Sequence, residues 1–298
     1  MPSWSELSQF LVSGLALGGV YALSGVGLVV LYRATGVLYL AFGAVGALGA
    51  FITYEMIQAS APGWAAWIVC ILVGGLVTLI YGMIFGPALA GRDPLVRAVA
   101  TLGLTLIVLG VMELLWPPTS GATRSISLPT DSDGFTVAGL QVTWTQLIAL
   151  AAGVVLTVAT TLFLRFTKLG TAMRAMANDR VITATLGVPV RRVEAAAWFG
   201  CGILSGFAGL LLADLVQLEP ATLTFLVISS LAAALIARLR SITVTFVAAI
   251  LIGVVHDLLT PFSALTNYRD MTPFVFAVIA LLVVSRHGTV MTRSREEA

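Results

Sequence analysis

The chain is divided into long apolar runs, each close to the length that a helix needs to cross a lipid bilayer. Such a helix takes about 20 apolar residues, because only internal hydrogen bonds satisfy its backbone in lipid. Only 10% of the residues are charged, whereas an ordinary soluble domain carries about 25%. This excludes a soluble enzyme and predicts an all-α, polytopic transmembrane helical bundle that forms one domain over residues 1–298. About nine spans (eight to ten) are predicted, at residues 7–32, 36–57, 64–90, 95–116, 144–166, 193–217, 222–237, 242–260 and 272–286.

Two of these runs leave open how they cross the membrane. Residues 36–57 are rich in glycine and alanine, and residues 222–237 are short. A broken or re-entrant helix is possible at either place if other helices cover its backbone.

The basic residues predict the orientation of the bundle. If the N-terminus lies outside, all of the 16 lysines and arginines except Arg124 and Arg269 fall on the cytoplasmic side. Positive charge accumulates on the cytoplasmic side of membrane proteins, so the distribution favours an N-out, C-in topology with nine crossings.

The acidic residues are distributed in the opposite sense. Of the 14 acids, all but Asp93, Asp179, Glu194, Glu296 and Glu297 fall at or near the outer face. One interpretation is that they solvate the membrane surface. The other is a docking surface for a soluble partner with basic lobes, with Glu55, Asp214, Glu219 and Asp257 as the candidate residues.

Two segments between spans are long enough to have a role of their own. Residues 117–143 are predicted to form an extracytoplasmic loop, and residues 167–192 form the largest cytoplasmic segment. Within the latter, Asp179 can cap a short helix from Arg180 to Leu186, and Gly187 can end it. A connection alone would need only a few residues, so a capped helix here indicates a function.

Several kinds of chemistry are excluded. Lys168, the single lysine, lies between Thr167 and Leu169, so no Walker A motif can exist. His256 and His287 are not in a zinc-binding motif, and Cys70 and Cys201 lie in apolar runs, which indicates neither a metal site nor a disulfide. A net charge of +2 without a basic block gives no nucleic-acid footprint. The sequence therefore predicts no catalytic residues, no metal and no cofactor bound by this chain.

Small residues form stripes along several predicted helices. Gly14, Gly18, Ala22 and Gly25 lie on one face of the first span, and Gly202, Gly206 and Gly209 lie in the sixth. Such stripes let helices approach closely in lipid, so they predict a tightly packed bundle.

Five stretches of the sequence together resemble one family, the inner-membrane permease subunits of branched-chain amino acid ABC importers. GLALGGVYAL at residues 14–23 with GLVVLYRATGVL at 27–38 is similar to the family's opening span, and ATLGL at 100–104 to its fourth span. LGTAMRAMANDR at 169–180, followed by ATLGVPVRRV at 184–193, resembles the family's cytoplasmic coupling loop and coincides with the capped helix.

The resemblance implies a multi-pass permease of the bacterial inner membrane, without enzymatic activity of its own. A second homologous permease would pair with it, two cytoplasmic subunits would bind ATP and Mg²⁺, and an extracytoplasmic solute-binding protein would deliver the solute. The residues implied in coupling to the ATPase subunits are Gly170, Arg174, Asp179, Arg180, Ala184 and Gly187. For any one of the arginines, positive-inside anchoring is an alternative explanation.

The sequence departs from the family where a solute would pass. The family's second span typically carries Asn-Phe-Ala-His-Gly or a similar motif, whereas this chain reads YLAFGA at 39–44. An apolar lining cannot replace the hydration of a zwitterion, so one hypothesis is a solute more apolar than leucine. In the other, Phe42 only packs between helices, and the binding protein sets selectivity. The predicted pathway residues are Tyr39, Phe42, Gly43, Thr101 and Thr105.

Two other functions compete with an importer subunit. A self-sufficient secondary carrier or channel would need a charge near the middle of the bilayer, and the sequence offers none there. A non-transporting membrane scaffold would have little use for a capped cytoplasmic helix.

Overall fold

The computed structural model describes residues 4–89, 91–117, 124, 134–137, 140–216, 218–225, 227–262, 271–272, 274–276 and 278–279. These residues form a helical bundle with one β-hairpin. The helices are α1 (Trp4–Thr35), α2 (Phe42–Gln58), α3 (Gly63–Leu89), α4 (Pro94–Leu115), α5 (Trp144–Phe166), α6 (Lys168–Asn178), α7 (Arg180–Thr185), α8 (Val190–Leu215), α9 (Pro220–Phe225), α10 (Val227–Ile236) and α11 (Ile242–Leu258).

Six of the predicted spans correspond to α1, α3, α4, α5, α8 and α11, with ends that agree within one helical turn. Five of these, all except α11, are long and apolar enough to cross a membrane. The chain is therefore a multi-pass membrane protein. Most of the ninth predicted span, residues 272–286, lies outside the described residues.

The second and seventh predicted spans differ from simple crossings. In the run at 36–57, residues 36–41 are irregular and the helix begins at Phe42. The run at 222–237 is covered by α9 and α10, on either side of residue 226, which is outside the described part.

The predicted outer loop, residues 117–143, contains a β-hairpin that the sequence analysis did not predict. Strands β1 (Gly134–Val137) and β2 (Leu140–Thr143) pair in antiparallel fashion, with Gly134 opposite Thr143. Thr143 also caps α5, since its hydroxyl accepts from the backbone N–H of Gln146. The hairpin is thereby fixed directly to the start of a span.

Helices α1 and α8 form the centre of the bundle. In their most apolar stretches, 89% and 61% of the residues are buried, against 22% in α4 and α5. Helix α1 packs on α11, α5 and α8, and α8 packs on α3 and α2. The peripheral helices α3, α4 and α5 expose apolar side chains, including Leu76, Leu106 and Val155, which is the kind of surface that lipid covers.

Glycines permit the closest helix contacts, as the small-residue stripes predicted. A Cβ atom on Gly209 of α8 would overlap the backbone of Gly46 in α2, and one on Gly202 would overlap Gly74 in α3. On α1, a Cβ on Gly18 would lie 2.8 Å from the Cα of Ile250 in α11. These pairs let backbones touch and bring α2 and α3 against α8.

Candidate functional site

The connection between α1 and α2, residues 36–41, is irregular. Helical hydrogen bonds remain at its two ends, from the N–H of Gly36 to the carbonyl of Tyr32 and from the N–H of Val45 to the carbonyl of Ala41. Gly36 starts it with a φ of +68°, a conformation that a side chain would disfavour. The hydroxyl of Thr101 in α4 accepts from the backbone N–H of Leu40 at 3.1 Å and lies 2.9 Å from the Leu38 carbonyl, to which it can donate. This side chain thus supplies hydrogen bonds that the irregular backbone lacks, as irregular backbone in a membrane requires.

Tyr39 anchors the same connection to α3 and α8. Its hydroxyl lies 3.3 Å from the hydroxyl of Thr78, and its ring meets that of Trp198 edge-on at a centroid distance of 5.4 Å. The ring of Tyr81 lies 5.5 Å from that of Trp198. Tyr39 is only 2% exposed, so this aromatic cluster is part of the bundle core.

Helix α2 begins against the middle of α8 and next to α9. The carbonyl of Phe42 accepts from the hydroxyl of Ser205 at 2.5 Å, and its ring lies against Gly27 of α1. Gly43 contacts the backbone of Thr224, where a Cβ would overlap. A small cavity lies beside these residues. The centre of a water-sized sphere can occupy about 10 Å³ of it, which is room for one water molecule.

The structure brings the five predicted pathway residues to one place. Tyr39, Phe42 and Gly43 lie at the start of α2, and Thr101 holds this region from α4. Thr105 donates to the carbonyl of Thr101 within the same helix. Contact of any of them with a solute remains a prediction.

Sequence reasoning missed the partners that fix this region. Trp198, Ser205 and Thr78 are buried and contact Tyr39 or Phe42. The spacing of Trp198 and Ser205, seven residues, was a usable signal, since it places both on one face of a helix.

Segment 167–192 contains two helices where one was predicted. The predicted short helix is α7: Asp179 Oδ1 accepts from the N–H of Ile182 at 2.9 Å, and Gly187 follows the helix with a φ of +82°. The missed helix is α6, capped by the hydroxyl of Thr167, which accepts from the N–H of Gly170 at 2.9 Å. Its apolar positions, with Met173 and Met176 buried, follow a helical period that the sequence displays.

The predicted coupling residues have different surroundings. Gly170 is pressed against the backbone of Phe163 and Leu164, and Arg174 donates to the carbonyl of Arg165 at 3.3 Å. Arg180 forms an ion pair with Glu194 of α8, with a nitrogen-to-oxygen distance of 2.8 Å. Asp179 caps α7, and Ala184 and Gly187 are exposed.

Helix α7 and the turn that follows it expose large apolar side chains. Val181 is 73% exposed, Ile182 58% and Leu186 78%. These three residues, which we call the α7 apolar patch, sit in a segment that also carries exposed Arg174 and Arg192. None of the three had been predicted as a coupling residue, although their apolar character in a charged segment was visible in the sequence.

A second small cavity lies where the ends of α1, α3, α4 and α8 meet α7. The centre of a water-sized sphere can occupy about 20 Å³ of this cavity. Its lining includes Thr35, Arg97, Arg180, Glu194 and Trp198. Arg97 Nη1 donates to the carbonyl of Thr35 at 3.3 Å, while its Nε is buried without a protein partner among the described residues. A water molecule fits this space and could satisfy Nε.

The four candidate docking acids lie in or next to α2, α8, α9 and α11. Glu55, Asp214 and Asp257 are near the C-terminal ends of α2, α8 and α11, and Glu219 immediately precedes α9. Glu55 accepts from the indole N–H of Trp116 at 2.7 Å, Glu219 from the hydroxyl of Thr222 at 2.7 Å, and Asp257 lies 3.2 Å from Nδ1 of His256. Glu55 and Glu219 are exposed, as a docking surface would require.

Comparison with known proteins identifies this architecture. A family model described as "Branched-chain amino acid transport system / permease component" matches residues 10–284. The permease protein LivH of the high-affinity branched-chain amino acid transport system of Escherichia coli is 23% identical, and the match covers 93% of each chain. The corresponding protein BraD of Pseudomonas aeruginosa is 24% identical over 95% of each chain.

Two further comparisons agree. A probable LivH of Methanocaldococcus jannaschii is 26% identical, with 86% of this chain and 82% of the relative covered. Among solved structures, a chain of PsaBC from Streptococcus pneumoniae in complex with a Fab has a similar fold, with a TM-score of 0.51, 14% identity and coverage of 93% and 91%. The named relatives are transport permeases and not enzymes. Since the family model matches nearly the whole length, the chain belongs to the family of permease components of branched-chain amino acid transport systems.

Proposed function

We propose that this chain forms half of the translocation pathway of an ATP-driven importer. The solute would be a branched-chain or other hydrophobic amino acid, or a related small and relatively apolar molecule, delivered by a solute-binding protein. The family description and the names of the curated relatives support the amino acid class. The apolar YLAFGA stretch favours the more apolar end of that range.

The observation that carries the proposal is the α7 apolar patch. Exposed Val181, Ile182 and Leu186 would be costly to leave in water next to charged residues, and clustered apolar side chains mark contact sites. Asp179 caps the N-terminus of α7, which makes this helix a rigid projection that can transmit a displacement. We assign this patch to a groove on a cytoplasmic ATPase subunit, which would bind ATP and Mg²⁺.

The same proposal includes the topology and the other partners. The chain would cross the inner membrane nine times, with its N-terminus outside and segment 167–192 in the cytoplasm. It would pair with a second, homologous permease subunit, and two ATPase subunits would bind the pair. Glu55, Asp214, Glu219 and Asp257 would receive the solute-binding protein.

The solute pathway is proposed to run beside the start of α2, at Tyr39, Phe42, Gly43, Thr101 and Thr105. The adjacent cavity has room for one water molecule, so a solute can pass there only after helices have moved apart. Movement of α2, α9 or the α1–α2 connection would open that space.

The test is a purification of the chain from its native membrane in mild detergent, with mass spectrometry of the retained proteins. The wild-type chain should retain P-loop ATPase subunits and a second permease. Val181→Asp combined with Leu186→Asp should reduce the recovered ATPase at least about tenfold, which corresponds to about 1.4 kcal/mol of binding free energy. Ala177→Asp, at an exposed position of α6, adds a charge in the same segment and serves as the matched control.

The outcomes separate the proposal from its competitors. Equal loss of ATPase in the Ala177→Asp control would contradict the assignment to the α7 apolar patch. Recovery of the wild-type chain alone, with transport intact after reconstitution, would identify a self-sufficient carrier. Recovery with partners other than an ATPase, without transport, would identify a scaffold subunit.

A further inference from the structure

One face of α8 contacts both α7 and the α1–α2 connection. Glu194 forms the ion pair with Arg180 of α7, Trp198 packs on Tyr39, and Ser205 donates to the carbonyl of Phe42. The spacings of four and seven residues place these three side chains on the same side of the helix. Glu194 and Ser205 are separated by about 16 Å along the axis, at about 1.5 Å per residue.

This arrangement is continuous and rigid. Trp198 is 2% exposed and Ser205 is fully buried, so water does not compete for their contacts with Tyr39 and Phe42. Helix α8 is also held against α3 by the Gly74–Gly202 backbone contact. A displacement at the foot of α8 therefore moves its contacts with the α1–α2 connection as well.

Arg97 provides a second link between the same two places. It lines the small cavity with Arg180 and Glu194, and it donates to the carbonyl of Thr35, the residue before Gly36. Arg180 pairs with Glu194 at 2.8 Å, and Arg97 lines the cavity beside that pair. Glu194 is thus the acidic centre at which α7, the foot of α8 and the α4 arginine meet.

We propose that Glu194 is a positioning residue for ATP coupling: through its ion pair with Arg180 it holds α7 on α8, so that displacement of α7 reaches the α1–α2 connection. This inference rests on the proposed function, since the displacement would come from an ATPase bound to the α7 apolar patch. It goes beyond it by assigning Arg180 a contact within this chain instead of a contact with the ATPase. The pair also explains why a helix as short as α7 can act as part of a larger rigid body.

The test follows the α1–α2 connection directly and does not depend on knowing the solute. Val37, which is 8% exposed and lines the small cavity, is replaced by cysteine in the complete assembly. The natural Cys70 and Cys201 are buried, so background labelling is low. The rate of modification by a thiol reagent is measured without nucleotide and with ATP plus vanadate.

We expect the rate at Val37→Cys to change at least about fivefold between the two states. Adding Glu194→Gln or Arg180→Gln should reduce this change to less than about twofold. The variant with both Glu194→Gln and Arg180→Gln should lose no more of the nucleotide-dependent change than Glu194→Gln alone, because both substitutions remove the same ion pair. Arg192→Gln, which removes an exposed charge two residues from Glu194, should keep the full change.

Each other result overturns the inference. If Glu194→Gln keeps the full nucleotide-dependent change while Arg180→Gln loses it, Arg180 acts on the ATPase directly. If Val37→Cys alone shows no change with nucleotide, the α1–α2 connection does not move. The ATPase should still co-purify with the Glu194→Gln variant, since the α7 apolar patch is intact. Absence of an ATPase from the wild-type assembly would instead refute the proposed function.

Discussion

Thr101 contacts two backbone groups of the irregular connection between α1 and α2. Its hydroxyl accepts from Leu40 and can donate to Leu38, two groups that have left helical geometry. An unsatisfied buried backbone group costs about 1–3 kcal/mol, so one hydroxyl stabilises this connection more than a surface hydrogen bond would.

Replacing Thr101 by valine tests this role. The isosteric change leaves the N–H of Leu40 without its partner. It also removes a hydroxyl that lies within donating distance of the carbonyls of Leu38 and, in its own helix, Ala98, and we expect a loss of about 2 kcal/mol in stability. The apparent melting temperature of the detergent-solubilised protein should fall. Thr101→Ser, which keeps the hydroxyl, should restore most of the loss. Thr161→Val serves as the control, because Thr161 is exposed and its hydroxyl donates to the carbonyl of Thr157 in its own helix. Equal melting temperatures for Thr101→Val and Thr161→Val would contradict the assignment.

At the scale of single residues, the sequence could nominate Thr101 but could not explain it. The ATLGL stretch resembles the family and drew attention to this position. Its partners are backbone groups about 60 positions earlier in the chain, and the identity of a side chain does not indicate which distant backbone groups it will contact. The same holds for Tyr39, whose hydroxyl meets Thr78 of α3.

Among the elements, α7 has little support of its own. It has six residues, far fewer than an isolated helix needs, and one side-chain cap and one ion pair hold it. Its shape therefore depends on Asp179 and Arg180 more than on helical propensity.

Asp179→Ala should loosen α7 without disturbing the spans. Loss of an N-cap costs about 1 kcal/mol, which corresponds to roughly fivefold faster opening. Hydrogen exchange measured by mass spectrometry should accelerate in the peptide covering residues 180–187. Asp179→Asn keeps a capping oxygen and should exchange like the wild-type protein. Unchanged exchange in the alanine variant would show that the ion pair alone maintains the helix.

The elements also show where local sequence signals suffice. The cap of α7 and its terminating Gly187 are local, so the helix could be predicted within one residue of its end. Helix α6 had an equally local pattern that was not used. The late start of α2 is different, because a run of apolar residues predicts helix from Gly36, and only the contacts with α3, α4 and α8 explain the irregular stretch.

For the whole molecule, the proposed topology places the α2–α3 and α3–α4 connections on opposite sides of the membrane. Single substitutions Ala59→Cys and Arg92→Cys put a thiol at an exposed position of each. In intact cells, a membrane-impermeant maleimide should label the former and not the latter. Both should react after permeabilisation, and the parent protein should give little signal because its two cysteines are buried. The reverse labelling pattern would refute the N-out orientation.

The outline of the bundle follows from composition, since apolar runs of sufficient length have few alternatives to a membrane helix. What could not be predicted is which helices are central. Helix α1 is less apolar than α3, yet α1 is mostly buried and α3 is largely exposed. Position in a bundle follows from the complete set of helix contacts, for which hydropathy is no guide when lipid and protein interior are equally apolar.

The glycine contacts around α8 have a consequence for how this chain can change over generations. A crowded helix contact is usually repaired by a second substitution that shrinks the opposing side chain. Where Gly46 meets Gly209 and Gly74 meets Gly202, the opposing residue is already glycine, so no smaller residue can replace it. A lineage that acquires alanine at one of these positions has no compensating change available across the contact. Repair would have to come from moving a whole helix, so these positions are closed to gradual drift.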